Sequence, residues 1–412
     1  MIPKQMTPKQ MIPKQPTAQY PLAGLKVVEL SAMITCSFAA MMLRSQGADV
    51  VKVEPPGMGD AMRHVGTRKN GISTLFSNCN RGKRSLAIDL KTDAGNEALM
   101  ALTRDADILL HNYRPGVMDK LGLGSDTLRA HNPRLIYLGV SGFGTVGPMA
   151  DKPAYDHVIQ GLTSMTDLQG EEDGEFAYMR TLICDKVTAY TVAQAATAAL
   201  VARATTGEGQ QIDISMLHAC LAFLWPDGMM NHTLHDDEVT LMPPLSDYYQ
   251  VLKLKDGAIT LAPLHDHHWN ALLPMLGYPK LVDDPTYGTM AGRAANMDQV
   301  MGLLKYPKAD ISVWEAMGVL EAADVPCTIC ERRDTVSDND QINIIGALET
   351  YVTDNMGEMT VPTPAAKFAG LATSLAEPSP HLGQHSAEIL AELGFEPERI
   401  CELIEAGTVQ SI

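Results

Sequence analysis

At 412 residues the chain is longer than a single hydrophobic core usually supports, so two domains are expected. Hydrophobic residues make up 45% and charged residues 20%, the balance of a soluble globular protein, and no apolar run reaches the roughly 18 residues a membrane helix needs. A net charge of −17 argues against nucleic acid as a partner, and seven scattered cysteines, odd in number, point to reduced thiols in a cytoplasm.

The chain opens on a repeated pentamer, with Pro3-Lys4-Gln5, Pro8-Lys9-Gln10 and Pro13-Lys14-Gln15. Such residues bury too little area to offset their ordering entropy, so residues 1–20 are expected to form a disordered tail. The tail has no hydrophobic h-region and does not read as a secretory signal. LKVVEL then reads as a buried strand, SFAAMMLRSQ as an apolar helix closed by Gly47, and ADVVKVE as a second strand, which makes a β-α-β unit. The rhythm continues through strand SLAIDL, helix TDAGNEALMALTRDA with Thr92 as N-cap, strand DILLHNY, helix GSDTLRAHNP and strand RLIYLGVSG. Asp156 opens the short helix DHVIQGL, an Ala-rich helix covers residues 185–205, GQQIDISML is a strand, and HACLAFLW is a helix ended by Pro226.

Residues 229–247, with Pro243-Pro244, read as a linker. DYYQVLKLKDGAITLA reads as a hairpin turning at Asp256-Gly257, followed by helical stretches that start at HDHHWNALLPMLG and end before VPCTIC. PAAKFAGL and HSAEILAELG read as helices. The expected fold is α/β: a large Rossmann-like doubly wound domain over residues 21–228 and again over 331–412, and a smaller α+β domain over 248–330.

Three motifs tempt and fail. Gly142-Phe-Gly144-Thr-Val-Gly147 fits a dinucleotide fingerprint, but a loop with Pro148 and Pro153 follows it instead of a helix that could hold a pyrophosphate. Cys327-Thr-Ile-Cys330 has no second pair at zinc spacing. His265, His267 and His268 lack a further ligand and read as the start of a surface helix, so no metal is expected. The charge, however, is uneven. From Ala61 to Lys91 there are seven basic residues (Arg63, Arg68, Lys69, Arg81, Lys83, Arg84, Lys91) and one acid, Asp89. A basic island in an acidic chain focuses the field toward a small anion. At the mouth of the Ala-rich helix stands a lone acid, Asp185, which read by itself is an ordinary helix cap.

The segments PLAGLKVVELS, GADVVKVEPPGMGDAMR, NCNRGKRSLAIDLK, ADILLHNYRPGVMDKLGLG, PRLIYLGVSGFGTVGP, AYDHVIQG and GEGQQIDISML, in that order, resemble the class III CoA-transferases of the CaiB/BaiF type. The resemblance implies a catalytic aspartate at Asp185. A carboxylate can attack an acyl-CoA to give a mixed anhydride and then become an aspartyl-CoA thioester, which conserves the thioester energy until an acceptor acid reverses the cycle. Partial desolvation sharpens that nucleophile, while the helix N-terminus is expected to keep it ionised.

Other positions follow from the resemblance one at a time. Asn112 and Tyr113 match an Asn and an aromatic lining the CoA cleft, with Arg114 as a phosphate partner. Lys91 and Ile88 match residues at the adenine nucleotide end. Lys120 and Leu121 match a basic-apolar pair against the adenine, and Arg81, Lys83 and Arg84 are expected to complete a phosphate cradle. Asp156 falls where some transferases carry a second carboxylate. Coenzyme A and acyl-CoA are implied as substrates, with no tightly bound cofactor. The resemblance also implies an interlocked, ring-shaped homodimer.

The departures limit the substrate. Ile34, with Thr35 beside it, stands where transferases hold the acyl group with Gln, Pro55 replaces a CoA-binding Arg, and VTLMPPLSDYY replaces a glycine-rich lid. Arg180 and Arg63 are candidates to bind a second carboxylate of a larger acid. An α-methylacyl-CoA racemase is the rival within the family, but Tyr155 occupies the position of its catalytic His, and a phenol with pKa about 10 is a poor base. A catalytically silent acyl-CoA-binding protein on the same scaffold is the third alternative.

Overall fold

A computed structural model of the chain describes residues 20–170, 174–248, 250–305, 307, 310–373 and 377–412, so the pentamer tail lies outside the described residues. The chain divides into two compact units, one running to Leu224 and resuming at Gly346, the other Trp225–Ile345.

The first unit is built on strands β1 (Lys26–Leu30), β2 (Asp49–Glu54), β3 (Arg84–Ile88), β4 (Ile108–His111), β5 (Ile136–Ser141) and β6 (Gln211–Ser215). They lie in the order 3-2-1-4-5-6, all parallel, with the short strand Val409–Gln410 antiparallel on the β3 edge. The order reverses between β1 and β4, and the crevice outside the carboxyl ends of the strands at such a reversal is where doubly wound sheets bind ligands. β-branched runs such as Val27-Val28 and Val50-Val51 suit strands buried on both faces. On one face Val28, Leu30, Val51, Val53, Leu86 and Ile88 pack with Ala98 and Leu99 of helix α2 (Asp93–Arg104) and with Ile389, Ile400 and Leu403. The opposite face carries the alternate strand residues, among them Glu29 and Lys52, which are register partners.

Helices α1 (Ile34–Ser45), α3 (Asp156–Leu162) and α4 (Ile183–Thr206) complete the part that matters for chemistry. α1 packs against α4 through small residues: Cys36, Ala39, Ala40, Ala189, Val192 and Ala196 are all fully buried. α4 stops at Gly207, whose φ of 79° gives the left-handed cap that ends a helix. Thr92 caps α2 as expected, accepting from the Gly95 N–H at 3.0 Å.

The second unit carries a three-stranded antiparallel sheet, Cys327–Ile329, Ala258–Leu261 and Val251–Lys253, with its own core of Leu252, Ile259, Trp269, Leu272, Leu273 and Leu320. Ser312 and Glu315 form a reciprocal capping box at the helix Val313–Ala322.

Two expectations are corrected and one element is new. Pro226 does not end its helix, which runs over Met216–Gly228: the ring removes one backbone donor in the last turn and two more residues follow. Residues 364–371 are not helical, because Pro362, Pro364 and Gly370 leave too short a run to pay for a helical nucleus. The antiparallel hairpin Leu348–Thr353 and Gly357–Pro362 has no counterpart in the sequence reading. Among the described residues, no helix is long and apolar enough to cross a membrane.

Candidate active site

The loops leaving β1 and β4 meet at the strand-order reversal. The Asn112 side chain ties them, accepting from the Ala32 N–H at 3.1 Å and donating to the Ala32 carbonyl at 2.6 Å. Next along the chain, Met33 has φ 64° and ψ −168°, a backbone region that residues other than glycine avoid at a cost of about 1–3 kcal/mol. The Asp60 carboxylate holds it there, accepting from the Met33 N–H at 3.0 Å. α1 starts immediately after, and its first turn aims the two neighbours in opposite senses. Ile34 packs among Met62, Ile72 and Phe76. Thr35 is buried, and its hydroxyl donates to Oδ1 of Asp185, 150 residues away.

Asp185 lies in the first turn of α4 and is 9% exposed. No side chain of the helix's own N-cap residue, Leu182, satisfies the exposed N–H groups. Asp156 does so from α3: its Oδ2 accepts the Asp185 N–H at 3.0 Å, and its Oδ1 accepts from Gln160 Nε2 at 2.6 Å. Gln160 in turn accepts the Met179 N–H at 3.0 Å, which fixes the loop entering α4. Burial is the largest influence on the Asp185 carboxyl. It pushes the carboxyl up to about 6, with the Thr35 hydrogen bond pulling down, the Asp156 charge pushing up and Lys186 pulling down. The group is thus largely ionised at neutral pH and only partly hydrated, as a carboxylate nucleophile requires.

Asp185 and Thr35 line a cavity of 270 Å³, together with Ala32, Met33, Asn112, Tyr113, Arg114 and the loop from Ser141 to Tyr155, including Lys152. A second cavity of 260 Å³ shares Tyr113, Arg114 and Ser141 and extends to His111, Ser125, Tyr137 and Asp213. The segment Tyr113–Pro115 therefore borders both halves of one groove at the carboxyl ends of β4, β5 and β6. His111 is buried there, and desolvation lowers it to about 4, so it is neutral. The Gly142-x-Gly144 motif is a loop over this groove. A Cβ at Gly142 would stand 2.2 Å from that of Ala154, so glycine is what lets the loop fold back.

Four residues of the basic island, Arg63, Arg81, Lys83 and Arg84, are taken up by the protein itself, while Arg68, Lys69 and Lys91 are exposed. Lys83 is fully buried, 2.6 Å from Glu29 Oε2, and it also donates to the Asn80 side chain at 2.7 Å. Lys52 joins the same Glu29 at 2.7 Å and Asp60 at 2.9 Å, all with no exposed side-chain surface. Burial alone would raise Glu29, but Lys52 and Lys83 hold it at about 2, while burial brings Lys83 down to about 8 against the pull of Glu29. Arg63 is bidentate to Glu54 at 2.7 and 2.8 Å, donates to the Pro380 carbonyl and stacks on Phe76, so it is unavailable to a substrate carboxylate. Arg84 pairs with Asp49 and Glu392 at 2.8 Å each, and Arg81 is buried beside Met41 and the Pro362 carbonyl. Each of these guanidinium or ammonium groups therefore already has a protein partner or no solvent face.

The remaining positions divide. Asn112, Tyr113, Arg114, Thr35 and Asp185 come together in the cleft. Ile34 and Ile88 are core residues whose side chains have no surface to offer. Leu121 packs half-buried on the main core, and Lys91 and Lys120 are exposed but outside both cavity linings. Arg180 is exposed on the loop five residues before Asp185, again outside the linings. Tyr155 lines the cleft 60% exposed, stacked on His157, which does not line it. Sequence reasoning missed Lys152, which lines the cleft, and the Glu29–Lys52–Asp60 cluster beneath it. The signal for the cluster was present: charged residues in the middle of the apolar strands KVVEL and DVVKVE. Among the described residues no group of three or more His, Cys, Asp or Glu side chains is arranged to hold a metal ion.

The sequence model described as CoA-transferase family III matches residues 22–386. A succinate–glutarate CoA-transferase of Agrobacterium fabrum is 31% identical over 90% of this chain and 95% of its own length. An acetyl-CoA:oxalate CoA-transferase of Acetobacter aceti is 33% identical over 74% of this chain and 83% of its own. Among solved structures, a CaiB/BaiF family protein from Brucella suis superposes with a TM-score of 0.80 at 31% identity, covering 91% of this chain and all of that one.

Proposed function

The chain belongs to CoA-transferase family III, and on that premise we propose that it moves CoA from an acyl-CoA donor to a carboxylic acid acceptor through a covalent relay on Asp185. One Asp185 oxygen attacks the thioester carbonyl, the C–S bond breaks, and CoA thiolate leaves a mixed anhydride behind. The thiolate then attacks Cγ of Asp185, expels the donor's acid as a carboxylate, and forms an aspartyl-CoA thioester. The acceptor carboxylate attacks that thioester and the same two steps run backward, so Asp185 is regenerated and no thioester energy is lost to water.

The observation that carries this reading is the Asp185 carboxyl, pushed up to about 6 by burial, lining a groove at the strand-order reversal beside Asn112, Tyr113 and Arg114. Of the two cations that the sequence offers for a second substrate carboxylate, Arg63 is consumed by Glu54 and Arg180 lies outside the cavity lining, whereas Lys152, which the sequence reading does not name, lines the same cavity as Asp185. The preferred acid is accordingly a short dicarboxylate. The reading includes a homodimer: Phe176 and Tyr178, ahead of α4, are 73% and 56% exposed, apolar surface that a second copy would cover.

The test is a panel of acyl-CoA donors against mono- and dicarboxylic acids, followed by mass spectrometry for new CoA thioesters. Transfer that requires an acceptor and disappears in Asp185→Ala supports the relay. Label from deuterated water entering the acyl α-position with no acceptor present would instead favour the racemase.

A further inference from the structure

The hydrogen bond from Thr35 to Oδ1 makes the two oxygens of Asp185 inequivalent. Thr35 is 3% exposed, sits in the first turn of α1, and is positioned by a chain of buried contacts: Lys52 to Asp60, and Asp60 to the Met33 N–H immediately before α1. α1 is packed along α4, which carries Asp185, so the donor and acceptor ride on two helices locked together. Oδ2 receives no hydrogen bond from any side chain among the described residues, which leaves it as the oxygen with a free lone pair.

We propose that the Thr35 hydroxyl is the oxyanion donor to Asp185 itself, and that it decides which carbon of the mixed anhydride CoA thiolate attacks. This rests on the Asp185 relay. Once Oδ2 has bonded the acyl carbon, Oδ1 is the carbonyl oxygen of the aspartyl half, and the hydroxyl still points at it. Addition of thiolate at Cγ moves an electron pair onto Oδ1, where the O–H stabilises the developing charge. Collapse restores the carbonyl, breaks the Cγ–Oδ2 bond and releases the donor's acid with Oδ2 in it. Attack on the other anhydride carbon places the charge on the acyl oxygen, away from this donor, and merely returns the acyl-CoA. Preorganised donors of this kind act in proportion to the charge that develops on the oxygen they face.

The experiment compares wild type, Thr35→Val and Thr35→Ser, using succinyl-CoA as donor and glutarate as acceptor, with the CoA adduct on the Asp185 peptide followed by mass spectrometry. Valine keeps the shape of threonine and removes only the hydroxyl. Thr35→Val is expected to lower kcat and the rate of adduct formation by roughly 100- to 1000-fold with little change in KM, the range for losing one such donor. Thr35→Ser is expected to stay within about tenfold of wild type. The acid limb of the kcat profile should also move to higher pH in the valine variant, since the lost bond favoured the ionised carboxyl. A wild type that forms no adduct overturns the relay. A valine variant that forms adduct as fast as wild type overturns the role of Thr35 and leaves the relay standing. Equal loss in the serine and valine variants also overturns it, because then the hydroxyl is not the agent.

Discussion

Oδ2 of Asp156 accepts the backbone N–H of Asp185 at 3.0 Å, so one carboxylate supports the residue that bears the other. Asp156 is 2% exposed and its second oxygen is taken by Gln160, which places it as a positioning residue for the first turn of α4. Asn at 156 can accept from only one of these two donors and leaves its own NH2 facing the other. Asp156→Asn is therefore expected to cost about 1–3 kcal/mol in urea unfolding. It also removes a negative charge that pushes Asp185 up, so the acid limb of kcat should shift to lower pH. An unchanged limb in a folded variant would show that the charge of Asp156 does not reach the nucleophile.

The pH dependence of the wild type has a definite sign. Asp185 stands near 6 in the folded chain against 3.8 for the free group. Turnover should fall as pH drops through about 6, because the protonated acid is not a nucleophile. Stability runs the other way. The folded chain holds this proton more tightly than the unfolded one, so the contribution is fully present below 3.8 and is lost as pH rises through about 6. Asp185→Asn should thus be more stable than wild type by roughly 1–3 kcal/mol at pH 7–8. That advantage should vanish below about pH 4, and calorimetry at both ends checks it.

Much of this arrangement is legible in the sequence. β-branched runs such as LKVVEL and the Thr92 cap are local signals, and the strands and helices they mark fall close to their expected bounds. Asp185, a lone acid opening an apolar helix, reads by itself as an ordinary cap, and it is the resemblance to the CoA-transferases that marks it as the nucleophile. What the sequence could not display is which partners consume a charge. Arg84 meets Glu392 and Arg63 meets the Pro380 carbonyl, each about three hundred residues along the chain, so part of a basic run that reads as a surface is consumed by partners far away in sequence. Thr35 and Asp185 are separated by 150 residues, and only the packing of α1 on α4 brings them together.

The buried cluster under the site should be intolerant of single changes. Glu29 is shared by Lys52 and Lys83 with no exposed surface on any of the three side chains. Lys52→Met leaves Glu29 with one cation and Asp60 with none. Breaking a buried pair from one side costs about 3–5 kcal/mol, and urea unfolding of the variant should show a loss of that size. Asp60 would also lose the charge that helps fix it against the Met33 N–H, so a folded remnant should transfer CoA slowly with ordinary KM. Full stability and full activity together would mean that the cluster does not brace the loop.

The cleft and the basic island make opposite predictions for substrate binding. Arg114 borders both cavities and, among the described residues, makes no side-chain ion pair, whereas Arg84 lies outside both linings and is held by Asp49 and Glu392. A hydrogen bond to a charged group contributes about 1.5–3 kcal/mol, and each 1.4 kcal/mol or so is tenfold in affinity. Arg114→Ala should then raise KM for acyl-CoA about tenfold or more, with the difference from wild type shrinking as salt screens the charge. Arg84→Ala should leave KM within about twofold and lower stability modestly, since its partners are half exposed and surface pairs are worth about 0–1 kcal/mol each. Steady-state kinetics at two ionic strengths separates the cases. If Arg84→Ala carried the KM defect and Arg114→Ala did not, the groove beside Tyr113 would not be where the CoA phosphates sit.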